Sequence, residues 1–206
     1  MSAFERVALV TGSSQGIGRA IALRLAAAGY LVWAVARLRM LLEQLRDEAP
    51  LGRVVVAPYD LADPTAIANL AREISTRTPQ LSAVVHCAGS VVHGAIANTS
   101  VAELGRQLAD NVESAYLLTQ ALLPLLVEGS TILFLNSSQG LRATALAGPF
   151  AASMHARKAV ADPSRRSERA WYPTHNYLSW PYCNASPRSY LREKRLTVPA
   201  RASASS

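Results

Sequence analysis

Short, uniformly apolar runs alternate with longer amphipathic stretches over most of this chain. Val7-Ala8-Leu9-Val10, Leu31-Val32-Trp33-Ala34-Val35-Ala36, Val54-Val55-Val56-Ala57, Ala83-Val84-Val85 and Ile132-Leu133-Phe134-Leu135 are too short for helices. They lack polar alternation, as strands buried on both faces do. The runs predict strands near residues 6–11, 31–36, 53–57, 82–87 and 130–136. Between the first two, Ile17, Ala20, Ile21 and Leu25 recur at helical spacing, and Gly29 is a stop signal. Further helical patterns cover about 101–126 and 149–162. Strands alternating with helices predict an α/β fold with a doubly wound parallel sheet.

The first apolar run leads directly into Thr11-Gly12-Ser13-Ser14-Gln15-Gly16-Ile17-Gly18. Glycines at this spacing alone make only a tight turn. Between a strand and a helix they let the backbone approach a pyrophosphate, which the free N–H groups of the helix N-terminus then meet. The segment therefore reads as a Rossmann-type dinucleotide turn, with Gly12, Ser14, Gln15, Gly16, Ile17 and Gly18 at the cofactor. The second strand ends at Arg37, where an acidic residue would accept from a ribose 2′-OH and select NAD(H). Arg37, with Arg39 nearby, offers a guanidinium to a 2′-phosphate instead, the other reading being a solvated loop arginine. NADP(H) is the expected cofactor, with NAD(H) the alternative.

Taken in order, these motifs resemble the short-chain dehydrogenase/reductase family over roughly Glu5 to Asp162. Asp60-Leu61 stands where the family places an Asp near the adenine. His86-Cys87-Ala88-Gly89 is similar to the family's N-N-A-G but differs at both Asn positions, leaving Ala88 and Gly89 as the matching cofactor contacts. Asn111 matches an Asn that holds a water in a proton relay. Thr131 to Gly140 resembles the strand that carries the catalytic Ser. That residue is three before a Gly and thirteen before a Tyr in the family, and Ser137, not Ser138, meets both counts against Gly140 and Phe150. The resemblance implies NADP(H)-dependent reduction of a carbonyl or oxidation of an alcohol. It also implies homo-oligomers built on the helices at 101–126 and 149–162.

The catalytic helix also departs from the family. Gly148-Pro149-Phe150-Ala151-Ala152-Ser153-Met154 matches the helix of form Y-x-x-x-K, with Phe150 at the Tyr position and Met154 at the Lys position. The family's Tyr exchanges a proton with the substrate oxygen, and its Lys lowers the Tyr pKa and binds the nicotinamide ribose. Phe has no ionisable group and Met only a weak acceptor sulfur. Loss of general acid–base catalysis alone costs roughly 10²–10⁴ in rate. Lys158 is about 6 Å further along the helix and His155 is turned about 100° away, so neither substitutes convincingly. The chain is expected to be inactive or impaired, and the alternative is a non-catalytic nucleotide-binding or partner-binding pseudoenzyme.

Charge divides the chain at the same place. Residues 1–162 hold 13 Lys+Arg and 12 Asp+Glu, a net of +1, whereas residues 163–206 hold 8 and 2, a net of +6. A truncated nucleotide domain over 1–162 and an irregular basic tail over 163–206 are therefore expected. The tail is punctuated by Pro163, Pro173, Pro181, Pro187 and Pro199 and shows no helix or strand period, so disorder is expected and the sixth and seventh strands are missing. Back-translating Trp171 to Ala185 one nucleotide downstream permits G-I-R-L-T-T-I-Y-P-G-R-T-A-T, similar to the family's missing strand and Pro-Gly loop. A frameshift between Asp162 and Arg169 follows as an expectation, through gene decay or a sequencing error, against a genuine divergent tail. The tail's Arg, Trp and Tyr suit phosphate contact and base stacking, but shifted GC-rich sequence yields Arg and Pro without selection, so no nucleic-acid partner is expected.

No apolar run reaches the roughly 18 residues of a membrane span. The first strand begins almost at Met1, leaving no room for a signal peptide, and a cytoplasmic location is expected. Cys87 and Cys183 lack metal or disulfide-framework spacing, so no metal site is expected.

Overall fold

The structure is a computed structural model that describes residues 6–161 and the short stretch 178–180. All five expected strands are present: β1 (Val7–Thr11), β2 (Leu31–Ala36), β3 (Val54–Pro58), β4 (Leu81–His86) and β5 (Leu126–Ser137). They pair in parallel in the order β3-β2-β1-β4-β5, continued by β6 (Leu178–Trp180). The central strands are buried along nearly their whole length because helices cover both faces of the sheet.

Alternate residues of the strands feed two cores. Leu9, Trp33 and Val35 face Ile67, Leu70 and Ile74 of α3 (Pro64–Arg77) and Leu118 and Leu122 of α5 (Ser114–Leu122). Val10, Val32 and Ala34 face Ala22 and Ala26 of α1 (Gly16–Ala27) and Leu42 and Leu45 of α2 (Arg39–Glu48). Trp33 satisfies its buried indole by donating to Thr78 Oγ1 at 3.1 Å. Asp63 caps α3 by accepting from Thr65 N at 2.8 Å, and Pro64 fills the first helical position, where its missing N–H costs nothing.

The helix expected over 101–126 is real but not uniform. α4 (Val101–Leu108) passes through a π-helical turn (Ala109–Glu113) into α5, and a 3₁₀ turn (Leu123–Leu125) ends it. The last described helix is α6 (Gly148–Ala161).

Two expectations are corrected. β5 begins at Leu126, earlier than the apolar run, because it pairs Leu81 with Leu126 before an irregularity resets the register at Ala83 and Thr131. A sixth strand exists: Leu135, Asn136 and Ser137 pair with Leu178, Ser179 and Trp180. Parallel pairing needs only backbone N–H and C=O groups along the open edge of β5, so three residues without an apolar period suffice. Apart from that strand, the tail over 163–206, its expected disorder and the seventh strand lie outside the described residues.

The sheet order reverses at β1, which has β2 on one side and β4 on the other. In open α/β sheets ligands bind at the carboxyl ends of the strands beside such a switch point.

Candidate dinucleotide and active site

The carboxyl ends of the strands set most of the nominated residues along one edge. Asp60 follows β3, Arg37 follows β2, the glycine turn follows β1, Ala88 and Gly89 follow β4, and Ser137 closes β5. Register brings the turn close to β2, since Thr11 pairs with Val35 and Ser13 N donates to Val35 O at 3.2 Å.

The glycine turn has the backbone that its sequence demands. Gly12 and Gly16 hold φ of +68° and +58°, a region costly for side chains with a Cβ. A Cβ on Gly12 would stand 2.9 Å from Ala88 N, so the turn lies directly against the β4 loop, and a Cβ on Gly18 would strike the Gly12 carbonyl. Around Gly16 nothing lies within 4 Å of such an atom, so the turn's outer side is open. Gln15 precedes α1 without a side-chain cap, which leaves the N–H groups of the first turn available. Thr11 Oγ1 locks the floor by accepting from Cys87 N and Ala88 N, each at 3.0 Å. Open backbone donors beside a close-packed glycine floor fit the pyrophosphate of a dinucleotide.

The flanking residues nominated for the rest of such a ligand follow β2 and β3. Arg37 is exposed and forms no ion pair with the described residues, whereas Arg39 lies 3.9 Å from Glu43. Asp60 is exposed, with Oδ1 accepting from Ala62 N at 3.1 Å, and Leu61 packs on the core.

On the other side, two amides clasp α6. Asn111, in the π-helical turn, donates to Ser153 Oγ and to Ser90 O, both at 2.9 Å, and accepts from Ser90 N at 2.8 Å. Ser153 Oγ donates to Phe150 O at 2.8 Å. Asn136 donates to Met154 O at 3.1 Å and accepts from Ser137 N at 2.7 Å. Ser137 Oγ accepts from Gln139 N at 3.2 Å. Thus Asn111, Ser137, Phe150 and Met154 belong to one connected framework.

Phe150 and Met154 are buried, 8% and 4% exposed, and neither brings an ionisable group into it. His93 meets the Phe150 ring edge-on at 6.2 Å between centroids. It is held there because Gly94 N donates to Leu146 O at 2.7 Å and residues 94 and 147 form a parallel bridge. His155 Nδ1 donates within its own helix, to Ala151 O at 2.9 Å.

Sequence reading missed Asn136, Ser153, His93 and Arg157. Arg157 is 2% exposed, donates to His86 O at 2.6 Å and Ala88 O at 2.9 Å, and leaves Nε without a partner. Burial lowers its pKa to about 10. Burial, and secondarily the Arg157 charge, pushes His86 down to about 3, so its ring is neutral, bonded to Thr119 Oγ1 and stacked on Phe134. Burial raises the Cys87 thiol to about 12, which leaves it unreactive. No cluster of metal ligands occurs among the described residues, and no helix among them is long and apolar enough to cross a membrane.

Known proteins resemble this chain in sequence and in fold. A family model described as short chain dehydrogenase matches residues 6–170. An oxidoreductase of Mycobacterium tuberculosis is 34% identical over 168 residues, covering 78% of this chain and 62% of the relative. The crystal structure of a short-chain dehydrogenase from Streptomyces avermitilis superposes with a TM-score of 0.74 at 30% identity, over 78% of this chain and 59% of the other. A short chain dehydrogenase from Shigella flexneri, solved complexed with NADP, gives a TM-score of 0.68 at 29% identity, over 77% and 70%. The chain spans little more than half the length of the curated relatives it matches.

Proposed function

The chain belongs to the short-chain dehydrogenase/reductase family, and from that premise we propose that it binds NADP(H) at the glycine turn and is impaired in the family's hydride-transfer chemistry. The observation that carries the reading is the buried pair Phe150 and Met154, set in one hydrogen-bonded framework with Ser137 and Asn111.

Each nominated residue has a part. Gly12, Gly16 and Gly18 let the backbone of the turn reach the pyrophosphate, with Ser14, Gln15 and Ile17 completing it. Arg37 pairs with a 2′-phosphate, Asp60 and Leu61 border the adenine, and Ala88 and Gly89 back the nicotinamide ribose. When bound, the nicotinamide supplies or accepts a hydride. Ser137 Oγ can then polarise a substrate oxygen, but no proton moves at Phe150, and Met154 brings no charge to the ribose. Reduction of a carbonyl or oxidation of an alcohol therefore proceeds poorly at best.

The intact glycine turn also favours a second reading, a pseudoenzyme that binds nucleotide without turning it over. Retained NADPH affinity without turnover marks that state. The same account assigns the residues after Asp162 to a shifted reading frame, which resequencing codons 160–170 tests.

Cofactor choice is tested by titrating the full chain with NADPH and NADH. NADPH should bind at least about tenfold more tightly, the scale of a charge-assisted guanidinium–phosphate pair. Arg37→Asp should reverse the order. Equal affinities in the parent chain would overturn the assignment of Arg37.

A further inference from the structure

Arg157 carries a charge that its visible bonds do not require. Its guanidinium crosses from α6 to the end of β4 and donates to the carbonyls of His86 and Ala88. Among the described residues no carboxylate pairs with it, and its Nε has no partner. Burying a cation without a counter-charge is expensive. Clasping backbone carbonyls does not call for one, because Asn136 clasps the Met154 carbonyl on the same helix with a neutral amide. The surplus is the charge itself.

Its direction is set by the Ala88 peptide. Ala88 O accepts from Arg157 at 2.9 Å, while Ala88 N donates to Thr11 Oγ1 and lies against the Gly12 backbone. One residue of β4 loop thus separates the guanidinium from the floor of the glycine turn. Gly89 is equally close, since a Cβ there would stand 3.5 Å from Arg157 Nη1. A buried charge is little screened by salt or water. The neighbouring ionisable groups, His86 at the end of β4 and Cys87 just after it, are both neutral, so neither cancels it.

We infer that Arg157 is a positioning residue for the dinucleotide, holding the Ala88–Gly89 backbone against the glycine turn and placing behind it the positive charge that Met154 does not supply. The inference rests on the proposed dinucleotide site. It sets a role three residues along α6 from Met154, exerted through the β4 loop and not by contact with the ribose.

The test uses the full chain, with calorimetric titrations of NADPH and of neutral adenosine alongside thermal melts. Arg157→Met keeps the bulk and removes the charge. NADPH affinity should fall about tenfold, adenosine affinity should stay within about twofold, and the melting temperature should change little, because relief of the unpaired buried charge offsets the bonds lost to the His86 and Ala88 carbonyls. Equal NADPH binding by parent and Arg157→Met would overturn the inference while sparing the site. Parallel loss of both ligands with a lower melting temperature would also overturn it, by making the role structural. A parent chain that binds no NADPH would overturn the site reading and the inference with it. Should Arg157→Met fail to fold, Arg157→Lys decides. NADPH affinity within about threefold of the parent supports the charge, and a larger loss refutes it.

Discussion

Asn111 Nδ2 donates to Ser153 Oγ at 2.9 Å, joining the π-helical turn to α6 across the site. The same amide holds both the N–H and the C=O of Ser90, beside Gly89. A π turn gives up one regular helical bond to swing a side chain out of phase, and here the side chain so placed is fully engaged.

Asn111→Ala should therefore lower stability as well as disturb the site. It strips partners from Ser90 and Ser153 in a buried setting, at a cost of about 1–3 kcal/mol for unsatisfied groups. Urea unfolding of parent and variant checks this, and a change below about 0.5 kcal/mol, the range of ordinary surface substitutions, would contradict it.

Gly12→Ala should abolish nucleotide binding. Its φ of +68° and the 2.9 Å approach to Ala88 N leave no room for a methyl group without moving the β4 loop. The strained backbone adds about 1–3 kcal/mol of destabilisation. Gly16→Ala shares the positive φ but meets no atom within 4 Å, so it should destabilise less. NADPH titration and melts of both variants rank them, and a Gly16→Ala chain as unstable as Gly12→Ala would refute the packing argument.

His86 should give the fold an acid-sensitive step. Its folded pKa of about 3 lies below its ordinary 6.5, so the unfolded chain binds the extra proton between those values. Stability from this group is complete above about pH 6.5 and is lost as pH falls toward 3, with a slope approaching about 1.4 kcal/mol per pH unit. His86→Asn should flatten that part of the profile. Unfolding midpoints from pH 7 to pH 4 measure it, and identical slopes in parent and variant would show that the ring is protonated in the folded state.

Restoring Tyr and Lys should be necessary but insufficient for activity. Phe150→Tyr and Met154→Lys act as a unit, so each alone should do little. The double variant should still fail in this chain, because the reading-frame account puts the family's Pro-Gly loop in the shifted frame. Carbonyl reduction should return only when that frame is also restored. Turnover by the double variant in the present chain would refute the need for the C-terminal segment.

Much of this site can be read from the chain because its parts are local. Buried parallel strands announce themselves as apolar runs, and a turn at Gly12–Gly18 follows from spacing alone. The residues at 137, 150 and 154 are tied by counts along the sequence. The clasp by Asn136, the Asn111–Ser153 bond and the Arg157 charge depend on elements brought together by folding, and no short-range period marks them. The start of β5 at Leu126 was hidden by Glu128-Gly129-Ser130, which breaks the apolar run where the pairing with β4 shifts register between Leu126 and Thr131. β6 was hidden for the opposite reason, since it needs no apolar period at all.

The fluorescence of NADPH on the full chain tests the central claim most directly, because one signal reports both binding and hydride transfer. The account predicts a saturable rise as NADPH is added, and persistence of that signal after a broad panel of aldehydes and ketones is supplied. No saturable rise would mean that the glycine turn does not hold the dinucleotide. A rapid decay on adding carbonyl compounds would mean that Phe150 and Met154 do not disable the site.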